Sequence, residues 1–287
     1  MSTPVAGRAA GPVGRLVEVV APRRFGTGFR WLVGSSWVSN LGDGIAIAAG
    51  PLLVASMTHD PFVVALGALL QWLPPLVFGL LAGALSDRLD RRRIVVTVDL
   101  LRAGVLVLLT LAIATDVASI ALVLVAMFLL GTAEVFADNT TATLMPMLVR
   151  RDDLAIANSR LMTGFITVNQ LAGPPIGAAL FAVGHALPFS AQAALVALGA
   201  VLVSRVVLPP HRRGTSEPTH LRHDVAEAFR WVAHSAAVRT LVLTIFVFNI
   251  TFGAAWSVLV LYATQRLGLG AIGFGLLTTI SAVGGLV

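Results

Sequence analysis

"GALSDRLDRRR", residues Gly83–Arg93, lies between two apolar stretches, and six of its eleven residues are charged. The 287-residue chain as a whole is 12% charged and 57% hydrophobic. A soluble globular domain is about 45–50% apolar and about 25% charged. The box is therefore out of character with the chain that carries it, and what surrounds it decides the fold. On both sides the apolar residues arrive in long blocks. A membrane helix needs ~20 mostly apolar residues to cross ~30 Å of hydrocarbon. About eight blocks meet that description: 31–57, 62–84, 94–114, 117–137, 161–183, 187–208, 239–263 and 271–287. With no water to satisfy the backbone in lipid, such blocks must be helices. The expectation is an all-α membrane protein, with the charged box as a tight turn between the second and third helices.

The formal charge of +6 comes entirely from arginine on the basic side. On a soluble protein the sequence pI of about 11.4 would suggest nucleic acid. The position of the charge says otherwise. If the N-terminus is cytoplasmic, nearly all arginines fall in the inner segments: Arg8 to Arg30, Arg88 to Arg93, Arg150 to Arg160, and Arg205 to Arg239. Only Arg266 falls in an outer loop, and Arg102 lies inside the third block. This is the positive-inside pattern at every second loop. The basicity reports topology in a cell (plasma) membrane, with the lipid bilayer as partner and no nucleic acid.

Four segments follow: a cytoplasmic tail (1–28), a six-helix half (29–208), a polar linker (209–238), and two further helices (239–287). The tail has no long apolar core and is not a signal peptide. Leu221, Val225, Ala228, Phe229 and Val232 share one helical face of the linker. That pattern fits either an interfacial amphipathic helix or an ordinary solvated one. A shift of 209 residues lays the first helix on the seventh, matching Arg30 to Arg239, Asn40 to Asn249 and Gly44 to Gly253. Repeated halves characterise many secondary transporters. The same shift puts the counterpart of Asp87 at about position 296, past the last residue, so the repeat implies a chain truncated within a second half.

The charged box resembles the signature loop between helices 2 and 3 of the major facilitator superfamily. Gly83, Asp87, Arg88, Arg91 and Arg92 match it, and Asp90 stands where a glycine is usual. With "SNLGDGIA" in the first helix and "LLRAG" in the third, the chain is similar to the subgroup of macrolide-efflux and siderophore-export proteins. "LAGPPIGAAL" in the fifth helix is similar to the antiporter motif through Gly173, Pro174, Pro175 and Gly177. The resemblance implies a twelve-helix bundle, of which this chain supplies eight, and export by antiport. It implies that the box closes the cytoplasmic side with partners on helix 4 and helix 11. Glu134 and Asp138 are the helix 4 candidates. Physically, Asp87 sits at a helix C-terminus, where an anion is unfavourable unless paired, and the neighbouring arginines are its available partners.

The buried polar residues carry the chemistry. Asp43 falls near the middle of the first helix, where a carboxylate costs about 2.5–3.5 kcal/mol on insertion scales. Ser36, Asn40 and Asp43 form one polar stripe. Asp43 is the candidate proton-coupling residue; the competing reading is a paired acid that only fixes packing. Asp99 and Arg102 are read as a structural ion pair with each other or with the first helix. Gln71, Trp72, Asn169, Gln170, Gln192 and Asn249, with Ser36 and Asn40, are candidates for lining a substrate pocket; hydrogen bonding between helices is the alternative.

The function expected is proton-coupled efflux of a hydrophobic or amphipathic small molecule by alternating access, with no cofactor and no metal. A truncated, non-transporting half-module is the alternative; it would have to self-associate or meet another chain. A membrane-embedded enzyme is disfavoured. No HExxH or Ser-His constellation occurs, all six histidines lie in loops or the linker, and the lack of cysteine removes thiolate ligands.

Overall fold

The computed structural model describes Glu18, residues 22–208, Arg230 and Trp231, and residues 233–284. The proposed amphipathic helix of the linker falls almost wholly outside these residues. Among them there is no strand. Seven helical stretches are long and apolar enough to cross a membrane. The first is α1 (Gly26–Met57). The second is split into α2 (Pro61–Trp72) and α3 (Pro74–Arg88). The third is α4 (Arg91–Ala114) and the fourth α5 (Ile120–Leu148). The fifth joins α6 (Leu154–Gly164) to α7 (Gly173–Val183) through a π-helical segment, Phe165–Ala172. The sixth is α8 (Leu187–Ser204). The seventh is α9 (Ala236–Ser257), continued by the short α10 (Leu259–Leu261) and a π turn to Arg266. The eighth block forms α11 (Ala271–Gly284). The described part of this eighth helix is 14 residues long.

The apolar blocks misplace one boundary that matters. The fourth apolar block ends at residue 137, but α5 runs to Leu148. Hydropathy ends the span at "ADNTT" because it scores side chains. The backbone continues as helix because Asn139 and Thr143 return their polar groups to carbonyls of their own helix. Glu134 therefore sits near the middle of the span, not toward its inner end.

The prolines account for the breaks in the second and fifth spans. Pro75 has no N–H to give the carbonyl of Gln71, so the second span bends there. Gly131 of α5 lies against that freed carbonyl at a distance a side chain would forbid. In the fifth span Pro174 and Pro175 open the ladder behind them, and the backbone widens to π geometry over the eight preceding residues.

Small residues then bring the spans into backbone contact. A Cβ on Gly177 would strike the Ile45 carbonyl, one on Gly173 would strike Gly44, and one on Gly199 would strike the Ser39 hydroxyl. On its other side α7 receives α11, where Gly275 packs on Ala178 and the Pro174 carbonyl. The fifth span is thus clamped between the first and the eighth. By contrast, α9 has no buried residue.

The core has two apolar levels. One contains Ala48, Leu52, Leu106, Leu109, Val123, Met127, Phe181 and Val196. The other, at the arginine-rich end, contains Phe25, Phe29, Val33 and Ala157, with Leu32, Val95, Leu144 and Val203 beside them. On the first, third and fourth spans Asp43, Asp99, Arg102, Glu134 and Asp138 fall between these levels along the sequence.

Candidate functional site

Four spans bring polar side chains to the intermediate level. Asp43 comes from α1, Asp99 and Arg102 from α4, Glu134 and Asp138 from α5, and Gln192 from α8. Arg102 and Asp99 are buried to 3% and 4% side-chain exposure, and Asp43 to 15%. The Arg102 guanidinium is the centre. Its Nη2 donates to Asp43 Oδ1 at 2.5 Å, and its Nη1 donates to Asp99 Oδ1 at 3.4 Å. Gln192 Nε2 donates to the same Asp43 oxygen at 3.4 Å. One arginine therefore ties the third span to the first, and Gln192 ties the sixth to the same carboxylate.

Two polar atoms of this level have no partner: Arg102 Nε and Gln192 Oε1 are buried without a hydrogen bond. Glu134 is half-buried and Asp138 exposed. Both lie within electrostatic range of Arg102 and Asp43. Neither makes an ion pair among the described residues. The level thus holds four carboxylates and one guanidinium, in a region where each charge is expensive unless compensated. A proton, or a cation entering from outside the protein, would relieve the imbalance.

A second polar thread runs beside it. Asn40 Nδ2 donates to the Ser36 carbonyl at 2.8 Å and to the Ser36 hydroxyl at 3.2 Å. Asn169, at the π segment, donates to the Asn40 carbonyl at 3.2 Å. The widened turn directs a buried amide across to the first span, a use that fits the frequency of π segments at functional sites. Ser36, Asn40, Asn169 and Gln192 are therefore brought near Asp43. Gln170 is half-buried on the same π segment. Asn249 is not brought in: it is exposed on α9 and bonds its own Ile245 carbonyl at 2.8 Å. Trp72 is also exposed, at 70%. The role of the Gln71 backbone is the contact with Gly131 described above.

The charged box forms a separate arrangement at the arginine-rich end. The side chains of Asp87 and Arg88 lie outside the described ones, so the expected pairing of Asp87 is not described. Asp90 caps α4, accepting from the Arg93 amide at 3.1 Å, which gives a physical use to the aspartate in the glycine's place. Arg91 holds the turn through Nε to the Ser86 carbonyl at 3.1 Å and reaches Met147 Sδ on α5 with Nη1 at 2.9 Å. Arg92 Nη1 spans the end of α8, donating to the carbonyls of Ser204 at 3.4 Å and Val206 at 3.2 Å. A cation on the last carbonyls of a helix is favourable. The turn is thus tied to the fourth and sixth spans. Glu134 and Asp138 belong to the Arg102 level instead. Gly83 is open, with nothing within 4 Å of a would-be Cβ.

Sequence reading missed two ties on α1. Ser35 donates to the Gly199 carbonyl at 2.8 Å and Trp37 to the Arg160 carbonyl at 3.3 Å. A serine and a tryptophan in an apolar block carry no pattern that tells a bonded side chain from a lipid-facing one.

A multi-pass helical bundle that sandwiches a level of charged side chains between two apolar levels, with glycine-rich crossings between spans, is the architecture of a membrane transporter. A family model described as transmembrane secretion effector, within the major facilitator superfamily, matches residues 18–287. The chain belongs to this family. No curated protein matches it.

Proposed function

We propose that the chain is a proton-coupled exporter of a hydrophobic or amphipathic small molecule. Alternating access would be governed by the Asp43–Arg102 pair. The observation that supports this reading is the ion pair itself: it joins two spans at mid-membrane, inside a level where acids outnumber bases. Protonating Asp43 removes the attraction that ties the first span to the third. Arg102 stays held by Asp99, with Glu134 and Asp138 within its field. Proton binding and a change in the relation of two spans are thereby linked through one bond. The substrate would lie beside this level, near the polar thread of Ser36, Asn40, Asn169 and Gln192, as expected for sites at the bilayer midplane. The ties of Arg91 and Arg92 would close the cytoplasmic side when the site faces outward. By the positive-inside rule that side, and the N-terminus, would be cytoplasmic.

The test is substrate-driven proton flux in sealed vesicles containing the chain, challenged in turn with lipophilic cations, macrolides and siderophores. Asp43→Asn should reduce the flux to that of empty vesicles while leaving substrate binding measurable. Proton flux at the unsubstituted rate in Asp43→Asn overturns the coupling role. A second prediction separates Glu134 from Asp43. Glu134→Gln leaves the Asp43–Arg102 tie in place, so it should weaken binding of cationic substrates more than neutral ones; an equal effect on both removes Glu134 from the site.

A further inference from the structure

At the arginine-rich end a cavity of ≈ 410 Å³ opens between the entry of α1, the end of α5 and the segment after α8. It is lined by apolar side chains and bare backbone, among them Phe25, Gly28, Phe29, Met147, Leu148 and Val207. The space exists because two of the entry residues have no side chain. A Cβ on Gly26 would meet nothing within 4 Å, and one on Gly28 would come 3.0 Å from the Leu148 side chain. No lining side chain is charged, yet three arginines contact lining residues or a neighbour of one. Arg24 lies over the Phe25 ring, 4.7 Å from its centroid. Arg91 bonds Met147, and Arg92 bonds the carbonyl of Val206, next to Val207. Arg24 also lies 3.6 Å from Asp153, yet its side chain is still 57% exposed. Arg92 commits Nη1 to α8, and its other N–H groups have no partner among the described residues.

From this juxtaposition we infer that the groove is a binding site for one anionic phospholipid of the arginine-rich leaflet, acyl chain between α1 and α5, headgroup phosphate against Arg92 and Arg24. The position fits: the groove lies where the apolar spans give way to charged turns, at the depth where a lipid changes from tail to head. Its size falls in the ~300–1,000 Å³ range of small-ligand sites. Basic pockets between membrane helices on the cytoplasmic side recognise anionic headgroups. A zwitterionic lipid offers the same tail but carries its own cation toward the arginines, so the site discriminates by headgroup. The bound lipid would wedge the entry of the first span against the turn that carries Arg91 and Arg92.

The test uses the full chain in nanodiscs of phosphatidylcholine doped with photoactivatable phosphatidylglycerol, labelled on the acyl chain. Cross-links are expected to concentrate on peptides containing residues 25–29 and 147–148. Arg92→Gln should reduce them about fivefold, the factor that one arginine at an anionic surface contributes. Gly28→Leu, which fills the groove without touching charge, should abolish them. Competition by unlabelled phosphatidylglycerol, but not by phosphatidylcholine, should displace the label. Cross-links spread evenly over the lipid-facing helices, or equal displacement by both lipids, overturn the site. The unsubstituted chain alone supplies both readouts, so the test stands if either variant fails to fold.

Discussion

Arg102→Gln is expected to lower the stability of the folded chain by about 3–5 kcal/mol, the usual cost of leaving buried charges without their partner. Among the described residues Arg102 is the only cation on a level that contains Asp43, Asp99, Glu134 and Asp138. Its loss strands Asp99 and Asp43, which are buried against it. Unfolding of purified protein in detergent, followed by helix content against a denaturant series, measures the change. The pairing account makes a further demand. Adding Asp43→Asn to Arg102→Gln should recover part of the loss, because a neutral amide needs no counter-charge. A double variant no more stable than the single one would mean that the arginine acts through packing alone. Arg102→Lys should fall between the two: a single ammonium on a flexible stem lacks the planar fork that reaches Asp43 and Asp99 together.

The second large effect belongs to the crossing of the first and fifth spans. Gly177→Leu should leave little or no folded protein in the membrane fraction. A side chain at this position meets the carbonyl, carbonyl carbon and Cα of Ile45, which are backbone atoms and cannot rotate away. Overpacking against movable side chains typically costs about 1–3 kcal/mol; here the helices must separate. They would also carry Asn169 away from Asn40 and loosen α7 from α11. Gly253→Ala is the control. Nothing lies within 4 Å of its would-be Cβ, so this variant should be recovered at the unsubstituted level. Size-exclusion profiles of the two variants decide the matter, and a well-folded Gly177→Leu would mean that the close approach is not required.

The order and type of the elements were legible without coordinates, because lipid imposes two readable constraints: long apolar runs for the spans, and basic residues on one side for the turns. Asp43, Asp99, Arg102 and Gln192 could be picked out for the same reason, since an ionisable or amide group is conspicuous in oil. Hydropathy failed where polar residues continue a helix. It ends the fourth block at residue 137, short of the Leu148 at which α5 ends, and so puts Glu134 and Asp138 near the end of the span. Nor could it separate Asn249, which bonds only its own helix, from Asn169, which reaches across to the first span.

The chain's own chemistry, then, determined that it weaves through a bilayer, which residues sit in it at a cost, and where its arginines gather. Which carboxylates share Arg102, that Asn169 is aimed by a π segment, and that Arg92 seizes the end of the sixth span were decided only in three dimensions. The physical reason is range: burial and charge sorting act on each segment by itself, whereas hydrogen bonds and ion pairs need atoms from segments 59 and 149 residues apart to meet within a few ångströms.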